Sequence, residues 1–221
     1  MNQDTLGRTM LFHGMSDGEI SDALCAMDAQ EQQCRKGTVI LCAGAGTERM
    51  GLVLSGSVTI EANDLWGNRT VLGHVAEGQL FAETYALLRD ETMPMNAVAN
   101  EDSLVLFLRP GGLDGLSPVG CPWVTRLLGN LLTLSAHKNL ALSGRGLHTA
   151  PKSARGRIMA YLNTVSLQKH SKEFDIPFDR QQMADYLNLD RSAMSKELGK
   201  MRRDGILRCR KNHFVILSGE I

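Results

Sequence analysis

Between residues 179 and 212 the chain gathers side chains that share one chemistry, the donation of hydrogen bonds to anions and to polar edges. In "DRQQMADYLNLDRSAMSKELGKMRRDGILRCRKN", Arg180, Arg191, Lys196, Arg202, Arg203 and Lys211 are interleaved with Ser192 and Ser195. Arg or Lys can donate to guanine O6 and N7, serine can bond a base edge or a phosphate, and cations that reach only phosphates add affinity without reading sequence. Metal and nucleophile chemistry are poorly supplied by comparison. The strand-rich region holds only His74 as a histidine ligand, without an H-x-H pair, and no Gly-rich phosphate loop or nucleophile elbow occurs. A cupin-type enzyme therefore fails on ligands, and no enzyme is expected. The five cysteines (Cys25, Cys34, Cys42, Cys121, Cys209) are odd in number and form no C-x-x-C pair, which fits reduced thiols better than a disulfide framework.

The donors need elements to hold them. Asp179 with Gln182 three positions on is a capping box that opens a short helix carrying Met183, Ala184 and Leu187. "LNLD" is a tight connection, and Asp190 caps a second helix with Met194, Leu198 and Met201 on its buried face. Gly205 stops that helix, and "ILRCRKNHFVIL" folds back around Lys211-Asn212. Two short helices, a tight turn and a trailing hairpin make a winged helix-turn-helix. Burying Met194 and Leu198 leaves Arg191, Ser192, Ser195 and Lys196 facing outward near the start of the second helix, where base reading occurs, with Arg180, Arg202 and Lys211 placed for phosphates.

Upstream, residues 32–109 alternate short apolar runs ("TVILCAG", "RMGLVLSG", "SVTIEAN", "RTVLGHV", "LVLFL") with Gly, Asn and Asp. That spacing predicts an antiparallel sandwich or jelly roll, with a break at Ser55-Gly56 and a hairpin tip at Gly67-Asn68. A short helix after Ser16 or Asp17 carries Ile20, Leu24 and Met27. A long helix is predicted over about 122–143, interrupted only by Gly129, with a seam of Val124, Leu128, Leu131, Ser135, Lys138 and Leu142 suited to a two-fold partner. Gly144, Gly146 and Pro151 then form a hinge. The fold class expected is α+β: an N-terminal antiparallel β roll over 1–115, a long dimerisation helix and hinge over 116–148, and a C-terminal winged helix-turn-helix over 149–221.

Charge follows that division. Residues 1–150 carry 10 Lys+Arg against 16 Asp+Glu, a balance of −6, and residues 151–221 carry 14 against 8, a balance of +6. A neutral chain split this way suits an acidic body joined to a nucleic-acid-binding end. The N-terminus lacks the basic start and apolar run of a secretory signal, and no stretch approaches the ~18 apolar residues of a membrane span. A cytoplasmic protein without membrane attachment is expected.

These parts in this order resemble the Crp/Fnr family of bacterial transcription regulators. The resemblance rests on "LVLSGSVTI" and "EGQLFAE" in the roll and, most specifically, on "RQQMADYLNLDRSAMSKELGKMRRDGIL". It implies a homodimer on near-palindromic double-stranded DNA, contact with RNA polymerase, base reading by Arg191, Ser192, Ser195 and Lys196, and a phosphate contact by Arg180. It also implies an effector pocket at residues 78–99. Cyclic-nucleotide binders of this fold use a glycine and a glutamate, then an arginine about ten residues on, followed by a small hydroxyl residue. Here Phe81 and Glu83 fit, Ala82 replaces the glycine, Met93 and Pro94 take the arginine and hydroxyl positions, and Arg89 lies four residues early. Methionine cannot pair a phosphate, so cyclic AMP is not expected. Three options stand for the roll: another effector, a redox or metal sensor, or a ligand-free scaffold. An iron–sulfur cluster needs four thiolates; Cys25, Cys34, Cys42 and Cys121 are four, but their spacing speaks against it, and no metal site is expected. A rival reading is a cyclic-nucleotide-type module that gates a partner protein without binding DNA, which would need neither reading helix nor wing.

Overall fold

The computed structural model describes residues 3–63, 69–116 and 120–217. The expected hairpin tip at Gly67-Asn68 lies outside them. Two compact units divide between Ser135 and Ala136.

The first unit opens with helices α1 (Gln3–Gly7) and α2 (Asp17–Ala26). Ser16 caps α2 in a full capping box with Glu19, which satisfies two amide donors at the helix start. Eight strands follow as two antiparallel four-stranded sheets. One is ordered β1 (Gln30–Cys34), β8 (Ser103–Leu108), β3 (Met50–Ser55), β6 (Leu80–Phe81); the other β2 (Val39–Leu41), β7 (Asn96–Ala99), β4 (Val58–Asn63), β5 (Arg69–Val75). Consecutive strands β3 and β4 lie in different sheets, so the expected break at Ser55-Gly56 is a crossover. Gly56 has φ +81°, and a Cβ there would sit 2.4 Å from Ser103 Oγ, which is why glycine holds the corner.

The middle of the first sheet, β8 and β3, is buried on both faces because its side chains alternate between two cores. Met50, Leu52, Leu106 and Leu108 pack with Phe12, Ile20, Leu24 and Met27, while Val53, Val105 and Phe107 point into the roll with Val58, Val75 and Ala97. Helix α3 (Glu83–Leu88) and a 3-10 turn (Pro110–Leu113) close the roll.

Helix α4 (Pro122–Thr149) crosses the unit boundary without a break. The hinge expected at Gly144 and Gly146 is therefore displaced: the helix runs through both glycines and ends just before Pro151. Each glycine costs a helix about 1 kcal/mol relative to alanine, so this last turn depends on tertiary contacts described below. Among the described residues no helix is long and apolar enough to cross a membrane.

The second unit adds α5 (Ala154–Lys169), β9 (Glu173–Asp175), α6 (Arg180–Tyr186), α7 (Arg191–Arg203), β10 (Leu207–Arg210) and β11 (His213–Ile216). The expected hairpin is β10–β11, turning at Lys211 (φ +53°), but β9 pairs with β11 to make a three-stranded sheet. Ile158, Leu162, Met183, Leu187, Met194, Leu198, Met201 and Phe214 form its core, each no more than 3% exposed.

Candidate DNA interface and sensor loop

Helices α6 and α7 stand where the sequence puts them because their ends are closed locally. Asp179 accepts from the Gln182 amide at 2.8 Å while Gln182 Oε1 accepts from the Asp179 amide at 2.9 Å. Asp190 accepts from the Ala193 amide (2.9 Å) and from the Ser192 hydroxyl (2.5 Å), and the Ser192 bond, then the amide, hold its carboxyl below the usual range. At the other end of α7 the Gly205 and Ile206 amides reach back to the carbonyls of Arg202 and Met201, a Schellman closure with Gly205 at φ +69°.

Met194, Leu198 and Met201 face the core, so the helical period places Ser192, Lys196 and Arg203 on the opposite side with Arg191, Ser195 and Arg202 flanking them. All six are exposed. Glu197 is the only acidic residue inside α7, and it is neutralised: Arg155 on α5 donates to Glu197 at 2.7 Å and to the Asp204 carboxylate at 2.7 Å. Among the described residues Arg191 and Lys196 have no ion-pair partner. Arg180, the first residue of α6, is half-buried with its guanidinium 5.0 Å over the Phe214 ring. Lys211 lies exposed at the wing turn. Ser192 differs from the others in that its hydroxyl proton is committed to the helix cap.

Three residues outside the sequence-derived set organise this region. Arg145, near the end of α4, donates to the Tyr186 carbonyl (3.1 Å), the Asp185 carbonyl (3.1 Å) and Asn188 Oδ1 (3.2 Å). Arg157 on α5 donates to the Leu187 and Asn188 carbonyls at 3.2 and 2.9 Å. His148 is buried, with Nδ1 3.0 Å from the Tyr186 hydroxyl and Nε2 2.9 Å from Thr164 Oγ1. The Thr164 hydroxyl already donates to the Ala160 carbonyl, so Nε2 carries the proton and Nδ1 accepts from Tyr186. Tyr161 and Tyr186 pack against it, Phe178 packs on both tyrosines, and burial pushes the Tyr161 phenol up to about 12. A lone arginine between two glycines gave no signal of this role. The only hint was a tight turn whose carbonyls needed donors.

The expected seam divides. Val124 and Leu131 are 2% and 4% exposed and, with Leu127, belong to the chain's own core, so they are not open to a partner. Leu128 and Leu142 are exposed, Ser135 is exposed and Lys138 half-buried. Leu132, 72% exposed, continues the outer stripe: Leu128, Leu132, Ser135, Asn139, Leu142, at alternating four-three spacing.

In the sensor loop, Phe81 is buried, packs edge-on to Phe107 at 6.4 Å and covers Gly51, where a Cβ would meet its ring at 2.2 Å. Ala82 has φ +59°, a left-handed conformation costing a non-glycine residue about 1–2 kcal/mol. Glu83 is buried at the start of α3. Met93 is buried, held by backbone bonds to Gly44 and Ala45, whereas Pro94 is exposed. The Arg89 guanidinium pairs with Asp114 beside the 3-10 turn. Cys34 is buried inside the roll and Cys121 packs on the helical side, while Cys25 and Cys42 are exposed. His74 Nδ1 lies 3.2 Å from Thr59 Oγ1. Among the described residues no three His, Cys, Asp or Glu side chains group to hold a metal ion.

A β roll and a winged helix-turn-helix with a basic outer face, carried on one chain, define the architecture of a two-part transcription regulator. Residues 31–116 match the model of the cyclic nucleotide-binding domain and residues 156–220 that of the Crp-like helix-turn-helix domain, together more than half of the chain. The chain belongs to the Crp/Fnr family of transcription regulators. Among solved structures it is similar to the catabolite activator protein of Thermus thermophilus, at 25% identity over 94% of this chain and 93% of that one (TM-score 0.50). It shares its fold with the c-di-GMP-responsive global regulator CLP of Xanthomonas campestris, at 20% identity over 92% and 100% of the two chains (TM-score 0.59). The same fold recurs in OCPA-complexed CprK, at 14% identity over 90% and 91% (TM-score 0.61). No curated protein matches the chain.

Two histidines of the second unit should titrate in opposite directions. Burial lowers the pKa of His148, so its stabilising contribution is full above the unfolded value of ~6.5 and is lost as pH falls through the folded one. His213 on β11 has a carboxylate at each ring nitrogen, Asp175 at 2.9 Å and Glu173 at 3.2 Å. Its pKa is raised, first by the Asp175 hydrogen bond, so its contribution is full below ~6.5 and is lost as pH rises through the raised value. In an NMR titration the ring protons of His148 should show a midpoint below ~6.5 and those of His213 one above it; Asp175→Asn should bring the His213 midpoint down and leave that of His148 in place.

Proposed function

We propose that the chain is a sequence-specific DNA-binding transcription regulator, homodimeric and cytoplasmic, that acts with RNA polymerase and answers to an effector other than cyclic AMP or cyclic GMP. The observation that carries the DNA reading is the outer face of α7. It presents Arg191, Ser195, Lys196 and Arg202 to solvent, and its one acidic residue, Glu197, is tied back to Arg155. Such a face is poised for a major groove, with Arg180 and Lys211 at its margins for phosphates. Arg191→Ala is expected to cost about 1–3 kcal/mol and to relax selectivity at one base pair per half-site. Mobility-shift titrations against selected DNA and its single-base variants measure both, and unchanged selectivity would remove Arg191 from the reading face.

The two-fold assembly is supported by the outer leucine stripe of α4. Leu132→Glu replaces a side chain that is 72% exposed in the single chain, so the fold should be kept. Across a two-fold axis it would set unpaired charges together in an apolar seam. Sedimentation should show monomers, with binding to paired half-sites lost; a variant that remains dimeric would move the interface elsewhere.

The exclusion of cyclic nucleotides rests on cations. Met93 stands where a phosphate-binding arginine would, Arg89 is engaged with Asp114, and Ala82 adds a methyl group at a left-handed position. Cys34 and Cys121 sit in separate cores, which likewise gives a shared cluster of thiolates no support. A ligand at ~100 times its dissociation constant adds about 2.7 kcal/mol of stability. Millimolar cyclic AMP or cyclic GMP should therefore leave the melting temperature unmoved; a clear upward shift would return the pocket to the usual ligand.

A further inference from the structure

We propose that Arg145 and His148 lock the helix-turn-helix to the last turn of α4, and that this lock sets the spacing at which two recognition helices are presented to DNA. The inference rests on the two-fold DNA-binding reading above and goes beyond it. It assigns positioning roles to two residues that touch no DNA.

A seven-residue helix such as α6 ends with carbonyls that have no intrahelical donor. The amides of Leu187, Asn188 and Leu189 return to Met183, Asp185 and Ala184, which turns the chain sharply toward α7. Asn188 completes the turn at φ +51°. The Tyr186 carbonyl accepts from Arg145 Nε, and Nη2 of the same guanidinium reaches both the Asp185 carbonyl and the Asn188 side chain. One planar fork thus spans the last two residues of α6 and the residue that reverses the chain. The guanidinium also lies 5.8 Å from the Tyr186 ring centre. Three residues on, and so on the same face of α4, His148 accepts from the Tyr186 hydroxyl. Tyr186 is therefore held at its carbonyl and at its phenol by one helical turn.

That turn is otherwise weak. Gly144 and Gly146 flank Arg145, and a Cβ at Gly146 would meet nothing within 4 Å. Alanine would fit there and stiffen the helix, so packing does not require this glycine. The turn is helical while Arg145 and His148 hold it and has little intrinsic reason to remain so without them. Leu142, on the exposed stripe, lies one turn before the lock. Partner contact at Leu142 and the grip on α6 are thus carried by adjacent turns, and the separation of two recognition helices follows from their rigidity. Arg157 holds the Leu187 and Asn188 carbonyls from α5 and keeps the turn folded if Arg145 is lost. Loss of Arg145 should then free the orientation of the unit without unfolding it.

The test uses the full chain and a palindromic duplex selected from random-core DNA by the wild type. Duplexes with the centre lengthened or shortened by one or two base pairs, and a duplex with one half-site, complete the set. For the wild type, altered spacing should weaken binding about tenfold or more, because both half-sites can no longer be engaged together. Arg145→Ala should bind the single half-site within about twofold of wild type while its spacing penalty falls to about twofold. Arg145→Lys, which keeps the charge but lacks the fork, should behave like alanine. His148→Gln should lower the penalty in the same direction. An Arg145→Ala variant that keeps the wild-type penalty overturns the lock alone. One that loses the half-site together with the penalty makes Arg145 a fold residue and overturns it too. A wild type that enriches no paired half-sites overturns the DNA-binding dimer on which the lock rests.

Discussion

Helix α4 divides its circumference side chain by side chain between a face that covers its own domain and a face left open. Val124, Leu127 and Leu131 close the first unit's core, and Leu128, Leu132, Ser135, Asn139 and Leu142 remain outside, offset on average by about a fifth of a turn. The two stripes share no residue. A seam that borrowed Val124 or Leu131 would empty the core, at about 2–5 kcal/mol for a leucine lost from such a place. The outer stripe is correspondingly poorer, with Ser135 and Asn139 between its leucines. Polar residues at such positions lower the stability of a helix pair and fix its register, an exchange that suits the two-fold assembly proposed above.

The second unit answers a different constraint, the satisfaction of backbone groups in a very short turn. Between α6 and α7 the chain reverses within a few residues, too few for water or a regular ladder to take every carbonyl. Arg145 and Arg157 take them, and both side chains arrive from helices that precede the motif. Arg155 does the same for charge, drawing Glu197 and Asp204 toward α5. Three arginines thus face inward so that Arg191, Lys196 and Arg202 can face outward without competition. The basic excess after residue 150 is spent in both directions, and a charge count alone does not separate the two uses.

What the sequence made legible was whatever is closed locally. Asp179 with Gln182, Asp190 and Gly205 each act within four residues, and the helices they bound lie where their spacing predicts. The roll was legible from its turn signals, including Ser55-Gly56, although not that the chain changes sheets there. Adjacent leucine pairs hid the division of α4: with Leu127-Leu128 and Leu131-Leu132 in sequence, periodicity fits either stripe, and only burial tells which one is used. Strand β1 reads "QEQQC" and strand β9 "EFD". One has no alternation and the other no length, so both are defined by the strands they pair with. Arg145 was invisible for a related reason, since its acceptors lie about forty residues away.

The loop at residues 78–99 is held in shape by contacts of its own. Phe81 is fixed by Gly51 and Phe107, Met93 by backbone bonds to Gly44 and Ala45, and Arg89 by Asp114. Each anchor is internal to the chain. Ala82 sits at a left-handed angle that glycine would adopt without strain, and those anchors offset its cost. A loop held in this way keeps a buried glutamate at the start of α3 and places a buried methionine where the family pattern has its arginine. The loop's shape thus rests on apolar, backbone and ion-pair contacts within the chain, none of which needs a phosphate to complete it.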